Sequence, residues 1–175
     1  MSQRIATFSP SDVTIVLTQN SSGIVHILSG FSEDSIISIE RNSDTFELYT
    51  GADDTNTRIY KANTSATLTV PLQQTSNSND ILTALYVNDK NSRDSSGLFS
   101  ITVKDNSGRS SFFAEEAYIA VVPGSSFGNS MQLREWVLHA VRLETYIGGN
   151  SKLSAEDEST LSTLGVAVDP RWISN

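Results

Sequence analysis

The chain has 175 residues, enough for one domain with a core of its own. Hydrophobic residues make up 38% and charged residues 18%, and the lack of cysteine excludes disulfides, thiolate metal sites and cysteine nucleophiles. A formal net charge of −8 offers no counterion-release attraction to a phosphate backbone, which argues against tight nucleic-acid binding.

Residues 1–10 lack the basic start and apolar run of a secretory signal. Residues 13–17 and 23–28 are β-rich, and Gln19-Asn-Ser-Ser-Gly23 between them is turn chemistry, so the two predict a hairpin. Residues 36–40 read as a third strand. Residues 45–49 read as a fourth, with Phe46 and Leu48 on one face and Thr45, Glu47 and Tyr49 on the other. The stretch 51–57 has no apolar residue except Ala52 and predicts an exposed tip, at the end of a long polar hairpin spanning 40–61. Residues 66–72 alternate, with Leu68, Val70 and Leu72 facing one way, and Pro71 belongs at a strand end or an edge because it has no N–H to donate.

One amphipathic helix follows in the tract 72–86. Ser78 or Asn79 is the expected N-terminal cap, Asp80 complements the helix dipole, and the helix ends within 88–91. Ile81, Leu82 and Leu85 form its core-packing stripe, with Ala84 at the margin. Residues 98–104 alternate with Phe99, Ile101 and Val103 inward, and Asp105-Asn-Ser-Gly108 is a tight turn. In the strand over 111–122, Glu115-Glu116 breaks the alternation and predicts a bulge. That segment holds the longest apolar run, 117–122, far too short to span a bilayer. Residues 133–147 read as one strand apolar on both faces, with Trp136, Leu138 and Ala140 alternating with Val137, Val141 and Leu143. Such a strand needs a cover on each side, the second from a neighbouring subunit. After Gly148-Gly149-Asn150 the character changes. Ser154-Ala-Glu-Asp157 is close to a capping box opening a short helix, Leu161 and Leu164 share a face, and Gly165 supplies the stop. Residues 166–175 read as an irregular tail anchored by Trp172 or Ile173.

Little here carries chemistry. His26 and His139 each sit inside a strand without a Ser or Asp pattern that would make a triad, so both read as structural. The acidic stretches at 53–56 and 105–108 lack the spaced oxygen ligands of a calcium loop. Gly148-Gly149 lacks the Lys-Ser/Thr of a phosphate loop. The expectation is no catalytic residue, no metal and no cofactor.

The order of motifs goes further. The tract Leu72-Gln-Gln-Thr-Ser-Asn-Ser-Asn-Asp-Ile-Leu82 comes first. Phe99-Ser-Ile-Thr-Val-Lys-Asp105 with Gly108-Arg109, Arg134-Glu-Trp136 and Ile147-Gly-Gly-Asn150 follow. Together with the charged strand over 34–41 and Gly51-Ala-Asp53, this series resembles the tail tube proteins of contractile-tailed bacteriophages over about residues 8–150. The resemblance implies a mainly β fold, a β-sandwich or barrel of two antiparallel sheets with one flanking α-helix. It implies a virion protein, assembled in the host cytoplasm, that stacks as hexameric rings into a tube inside a contractile sheath. Its partners would be other copies of itself, the tail sheath protein, and the tube initiator, baseplate and terminator proteins. The tape measure protein and genomic DNA would pass through the lumen without specific binding. No membrane anchor is implied.

On that footing Glu40 and Glu47, on the polar faces of their strands, are expected to face the lumen, where acidic groups repel phosphate. Gly51, Ala52, Asp53, Asp54, Thr55 and Asn56 are expected to form the tip that reaches the next ring. Residues 1–150 would make the tube domain. Residues 151–175, beyond the family pattern, would make a C-terminal extension with a short helix. Two rivals share parts of this reading: a tube from a tailocin or type VI-like secretion system, and a virion carbohydrate-binding or adhesin sandwich. The second normally displays an aromatic platform, whereas the five Tyr and two Trp here are scattered.

Overall fold

A computed structural model describes residues 5–174. Its elements in chain order are β1 (Val13–Gln19), β2 (Ile24–Ile27), β3 (Ser38–Arg41), β4 (Phe46–Thr50), β5 (Asn56–Tyr60), β6 (Ala66–Gln73), α1 (Ser78–Ser92), β7 (Phe99–Asp105), β8 (Ser111–Val121), β9 (Leu133–Ala140), β10 (Glu144–Tyr146) and α2 (Ala155–Thr163). The fold is mainly β, in two antiparallel sheets with a packed helix. The larger sheet has eight strands in the order β2-β1-β7-β8-β9-β6-β3, with β10 added on β8, and the smaller is the β4–β5 hairpin alone. β1 and β2 pair as the expected hairpin, Leu17 opposite His26.

The large sheet curls until it closes. Just after β2 the chain reaches across to β6: Phe31 pairs with Leu72, the Ser32 N–H donates to the Pro71 carbonyl, and the Gln73 N–H donates to the Gly30 carbonyl. This explains how Pro71 sits inside an eight-residue strand. Its carbonyl, and so its missing N–H, points to the Ser32 side, leaving the β6–β9 ladder intact, and β3 pairs only as far as Thr69. Alternation along β6 sends Leu68, Val70 and Leu72 fully inward. They meet Ile15 and Leu17 of β1, Phe99, Ile101 and Val103 of β7, and Trp136 and Leu138 of β9 in one core. Helix α1 lays Leu82 and Leu85 into it, with Ile81 half-buried at its edge. Full burial of a leucine such as Leu82 contributes on the order of 2 kcal/mol. Ala84 is solvent-exposed rather than packed at the margin of the stripe, since the helix touches the barrel along a narrow seam.

Most strand boundaries shift by a residue or two from expectation, and two differences have a physical reason. The third strand begins at Ser38, because Ile36 and Ile37 turn toward the core before pairing starts. The segment over 133–147 is two strands, not one. β8 pairs with β9 through its second half and with β10 through its first. Between these halves its register against β7 shifts: Ile101 faces Ala114 and Phe99 faces Ala117, so Glu115-Glu116 holds the expected bulge. The bulge bends β8, and the partner chain breaks over residues 141–143 to follow it. Within the single chain the β9 segment is covered on one face, which leaves the other open for the neighbour that was expected to cover it. Trp136, Leu138 and Ala140 are buried inside, while Leu133 lies exposed and Val137 half-buried outside.

Candidate functional site

The motifs that were scattered in sequence converge into two clamps. In the first, Asn79 at the start of α1 accepts a hydrogen bond from the Trp136 indole N–H on β9 at 2.9 Å and donates to the Gln73 carbonyl at the end of β6, also at 2.9 Å. Ser78, fully buried, bonds His26 Nε2 on β2 at 2.9 Å and accepts from the Ser29 N–H at 3.0 Å. Neither residue caps the helix: the cap position is Asn77, without a side-chain bond. Ser78 and Asn79 instead bolt the helix to β2, β6 and β9, and the helix runs to Ser92, where Arg93 takes a left-handed conformation (φ 54°). Arg134, also buried, donates to the Ser126 carbonyl at 3.2 Å and lies over the Phe127 ring.

The second clamp joins the turn after β7 to the Gly-Gly-Asn segment. Asn150 donates to the Asp105 carboxylate and to the Ser107 hydroxyl, both at 3.0 Å. The Arg109 N–H donates to the Gly149 carbonyl at 3.2 Å, and the Ser110 hydroxyl donates to the Gly148 carbonyl at 2.9 Å. A Cβ on Gly148 would stand 2.5 Å from the Arg109 Cβ, so only glycine permits this approach. Burial alone would push the Asp105 carboxyl up; bonds from the Ser107 hydroxyl, Asn150 and the Ser107 N–H outweigh it and hold the carboxyl below the ordinary aspartate range.

The same clamp seats the C-terminal segment. Arg109 Nη1 donates to the Ser151 carbonyl at 2.6 Å, and its guanidinium lies 5.3 Å from the Trp172 ring centre. Leu153 pairs with Ile173, its N–H donating to the Trp172 carbonyl at 2.7 Å. Both expected anchors therefore hold the tail, as far as Ser174; Asn175 lies outside the described residues. Helix α2 has its capping box, Ser154 and Asp157 each bonding the other's backbone N–H. Leu164 does not share a packed face with half-buried Leu161; it is exposed.

The surface that stands apart is the β4–β5 hairpin. All ten of its residues are exposed. Leu48 keeps 70% of its surface in water, and Phe46, Tyr49, Ile59 and Tyr60 are exposed as well. The arm is not the polar hairpin expected: half of its ten strand residues are large and apolar, and none of these five belongs to the core or to the residues packed against it. Cross-strand register sorts the arm into two faces. One holds Phe46, Leu48, Arg58 and Tyr60, with the Arg58 guanidinium 4.5 Å above the Phe46 ring. The other holds Glu47, Tyr49 and Ile59, with Lys61 bonded to Glu47 at 2.7 Å. Through that bond and charge, Lys61 lowers the Glu47 carboxyl, and Glu47 raises the Lys61 ammonium.

At the tip the Gly51 N–H donates to the Thr55 carbonyl at 2.8 Å, Asp54 takes φ 66°, and the Thr55 N–H donates to the Asp53 carboxylate at 3.3 Å. Ala52 lies in this turn, while Asn56 is already the first residue of β5, opposite Thr50. Glu40 is exposed on β3, opposite Thr67, on the outer face of the barrel that also carries His139 and Tyr118, whose side chains bond each other at 3.3 Å. Glu40 and Glu47 thus lie in different sheets. The exposed hairpin was expected from the sequence, but the apolar character of its strands was not, because the polar tip dominated the reading. The signal available was that both faces of the segment over 45–49 carry an aromatic.

Among the described residues no group of three His, Asp or Glu side chains converges to hold a metal ion, and no helix is long and apolar enough to cross a membrane. Glu115, Glu116, Arg142 and Glu144 line an open cleft beside the bulge.

Known proteins match this architecture. Residues 5–148 match the family model described as bacteriophage PhiTE tail tube protein. A protein of Pseudomonas phage KPP10, called structural protein ORF10, is 50% identical over 173 residues, covering 99% of this chain and 100% of its own length. The fold recurs in a chain of the virion of a native gene transfer agent particle, with TM-score 0.54, 10% identity, and coverage of 81% of this chain and 100% of that one. It recurs also in a chain of the extended sheath–tube complex of an extracellular contractile injection system, with TM-score 0.52, 11% identity, and coverage of 80% and 91%. At such identities these two structures establish the fold alone, whereas the family model and the phage relative reach further: this chain, a structural component of the virion, belongs to the phage tail tube protein family of the PhiTE type.

Proposed function

We propose that this protein is the subunit of the inner tube of a contractile phage tail, assembled from stacked hexameric rings, and that it performs no catalysis. The observation that carries the reading is the β4–β5 arm. An isolated two-stranded hairpin is marginal in water, and five exposed apolar side chains on ten residues call for a cover that the described residues do not provide. In a tube, every copy meets others and the arm has a partner by construction. Membership of the tail tube family supports the same reading, and the sheath–tube complex that shares the fold supports a surrounding sheath.

In this arrangement the tip Gly51–Asn56 contacts the next ring, where the hydrogen-bonded turn presents Asp53 and Asp54 in a fixed geometry. Glu40 faces the lumen and Glu47 lies near it, its charge partly neutralised by Lys61. DNA and the tape measure protein pass without being held, because the chain is acidic. Residues 1–150 form the tube domain and residues 151–175 an extension on the outer wall, within reach of the sheath. Initiator, baseplate and terminator proteins close the ends.

The shared fold with an injection-system tube also favours a second reading, a tube of the same build that carries no genome. Electron microscopy of the purified protein at high concentration tests both, and hollow rings or tubes are expected. A protein that stays monomeric, alone and with its initiator complex, contradicts both. A map of the tube placing the Glu40 and Glu47 carboxylates on the outer wall removes the luminal assignment. Deleting residues 151–175 is expected to leave tube formation intact and weaken sheath binding; unchanged sheath binding rules out a contact there.

A further inference from the structure

Among the exposed apolar surfaces of the described residues, two match each other. The first is the β4–β5 face bearing Phe46, Leu48, Arg58 and Tyr60. The second is a groove of about 530 Å³ on the outside of β8 and β9, where Val121, Val122, Met131, Leu133 and Val137 surround Glu135. Val121, Val122, Met131 and Leu133 are all substantially exposed. The groove is the uncovered second face of the segment over 133–147, whose inner face carries Trp136 and Leu138.

Charge selects which face of the arm enters. Glu135 is the one charged residue lining the groove. Arg58 is the one charged residue on its face of the hairpin. Neither belongs to an ion pair among the described residues, where the pairs are Lys61–Glu47 and Arg171–Asp169. The opposite face of the hairpin has already neutralised its charges internally through Glu47 and Lys61. The Arg58 guanidinium carbon lies 4.5 Å from the Phe46 ring centre, and a guanidinium has five N–H donors with which to meet a carboxylate.

We propose that the Phe46/Leu48/Arg58/Tyr60 face of the hairpin of one copy seats in the Val121/Leu133/Val137 groove of a second copy, with Arg58 paired to Glu135. The inference rests on the tube reading above and identifies the surfaces that would join copies. Two different patches meet, so the contact is heterologous and repeats from copy to copy, closing into rings or continuing as a stack. Phe46, Leu48 and Tyr60 act as the anchors and the ion pair fixes register.

Charge exchange tests it. Arg58→Glu and Glu135→Arg, each alone, bring like charges together and are expected to raise the concentration needed for assembly at least ~10-fold, while R58E/E135R together return it to within ~3-fold of the parent. Light scattering and microscopy read assembly, and urea midpoints confirm that all three variants fold. Because the chain has no cysteine, a second measurement is clean: Arg58→Cys mixed with Glu135→Cys and mildly oxidised should give a disulfide-linked dimer that neither variant gives alone. Single variants that assemble like the parent, a double variant no better than the singles, or no dimer in the mixture overturns the contact. If the parent forms tubes in those same experiments, only the contact falls; if the parent never assembles, even with its initiator complex, the tube reading falls with it.

Discussion

In the barrel, no buried polar side-chain atom among the described residues lacks a hydrogen-bond partner, and the bonds that clamp its elements together join residues far apart in sequence: Asn79 with Trp136, Ser78 with His26, Asn150 with Asp105. In the β4–β5 arm the side chains are larger and more apolar than its solvent exposure warrants, and its bonds are local, within the hairpin itself. The barrel is organised to be stable alone. The arm is organised for something absent from the single chain. The difference separates residues whose loss should unfold the subunit from residues whose loss should leave it folded and unable to assemble.

Substitutions can break or sharpen this contrast. Leu138→Ala empties a fully buried site and should lower stability by about 2–5 kcal/mol in urea titrations. Gly148→Ala drives a methyl into Arg109 and should cost about 1–3 kcal/mol, by disturbing the second clamp rather than the core. Trp136→Phe keeps most of the ring but leaves Asn79 Oδ1 without its donor, for a loss of about 1–2 kcal/mol. Leu48→Asp, in the arm, should change monomer stability by no more than about 0.5 kcal/mol yet abolish tubes in the microscope. A Leu48→Asp subunit that is strongly destabilised as a monomer would break the contrast.

The smallest effect is a pH dependence. The Asp105 carboxyl is depressed in the folded state, so its contribution is complete above the ordinary aspartate range and is lost as pH falls through the lowered value. Acid titration of stability should therefore be shallower in Asn150→Ala, which removes one of the bonds to that carboxylate, than in the parent.

The periodic parts of this fold were legible from residue order. Leu68, Val70 and Leu72 alternate and are buried, Glu115-Glu116 interrupts alternation and is a bulge, and Ser154 with Asp157 spells a capping box that forms. Each of these is a local signal read over a few residues. Ser78 and Asn79 also carried a local signal, for a cap, and it misled: their partners His26, Ser29 and Trp136 come from other strands, which no local pattern encodes. The break at 141–143 was hidden for the same reason, since its cause is the bend in β8. The motifs of the family resemblance were visible, but not that Gly108-Arg109 and Gly148-Gly149 meet. The apolar arm was read as polar because its tip is polar, and residue order gives no measure of what a strand packs against.

Hydrogen exchange on monomer and assembled tube puts the central claim to its most direct test. In the monomer, amides of β4 and β5 should exchange fast while those of β6 and β9 stay protected, as fits an uncovered hairpin beside a closed barrel. On assembly, β4 and β5 should gain strong protection with little change in β6. An arm that still exchanges at the monomer rate inside assembled tubes would contradict the account.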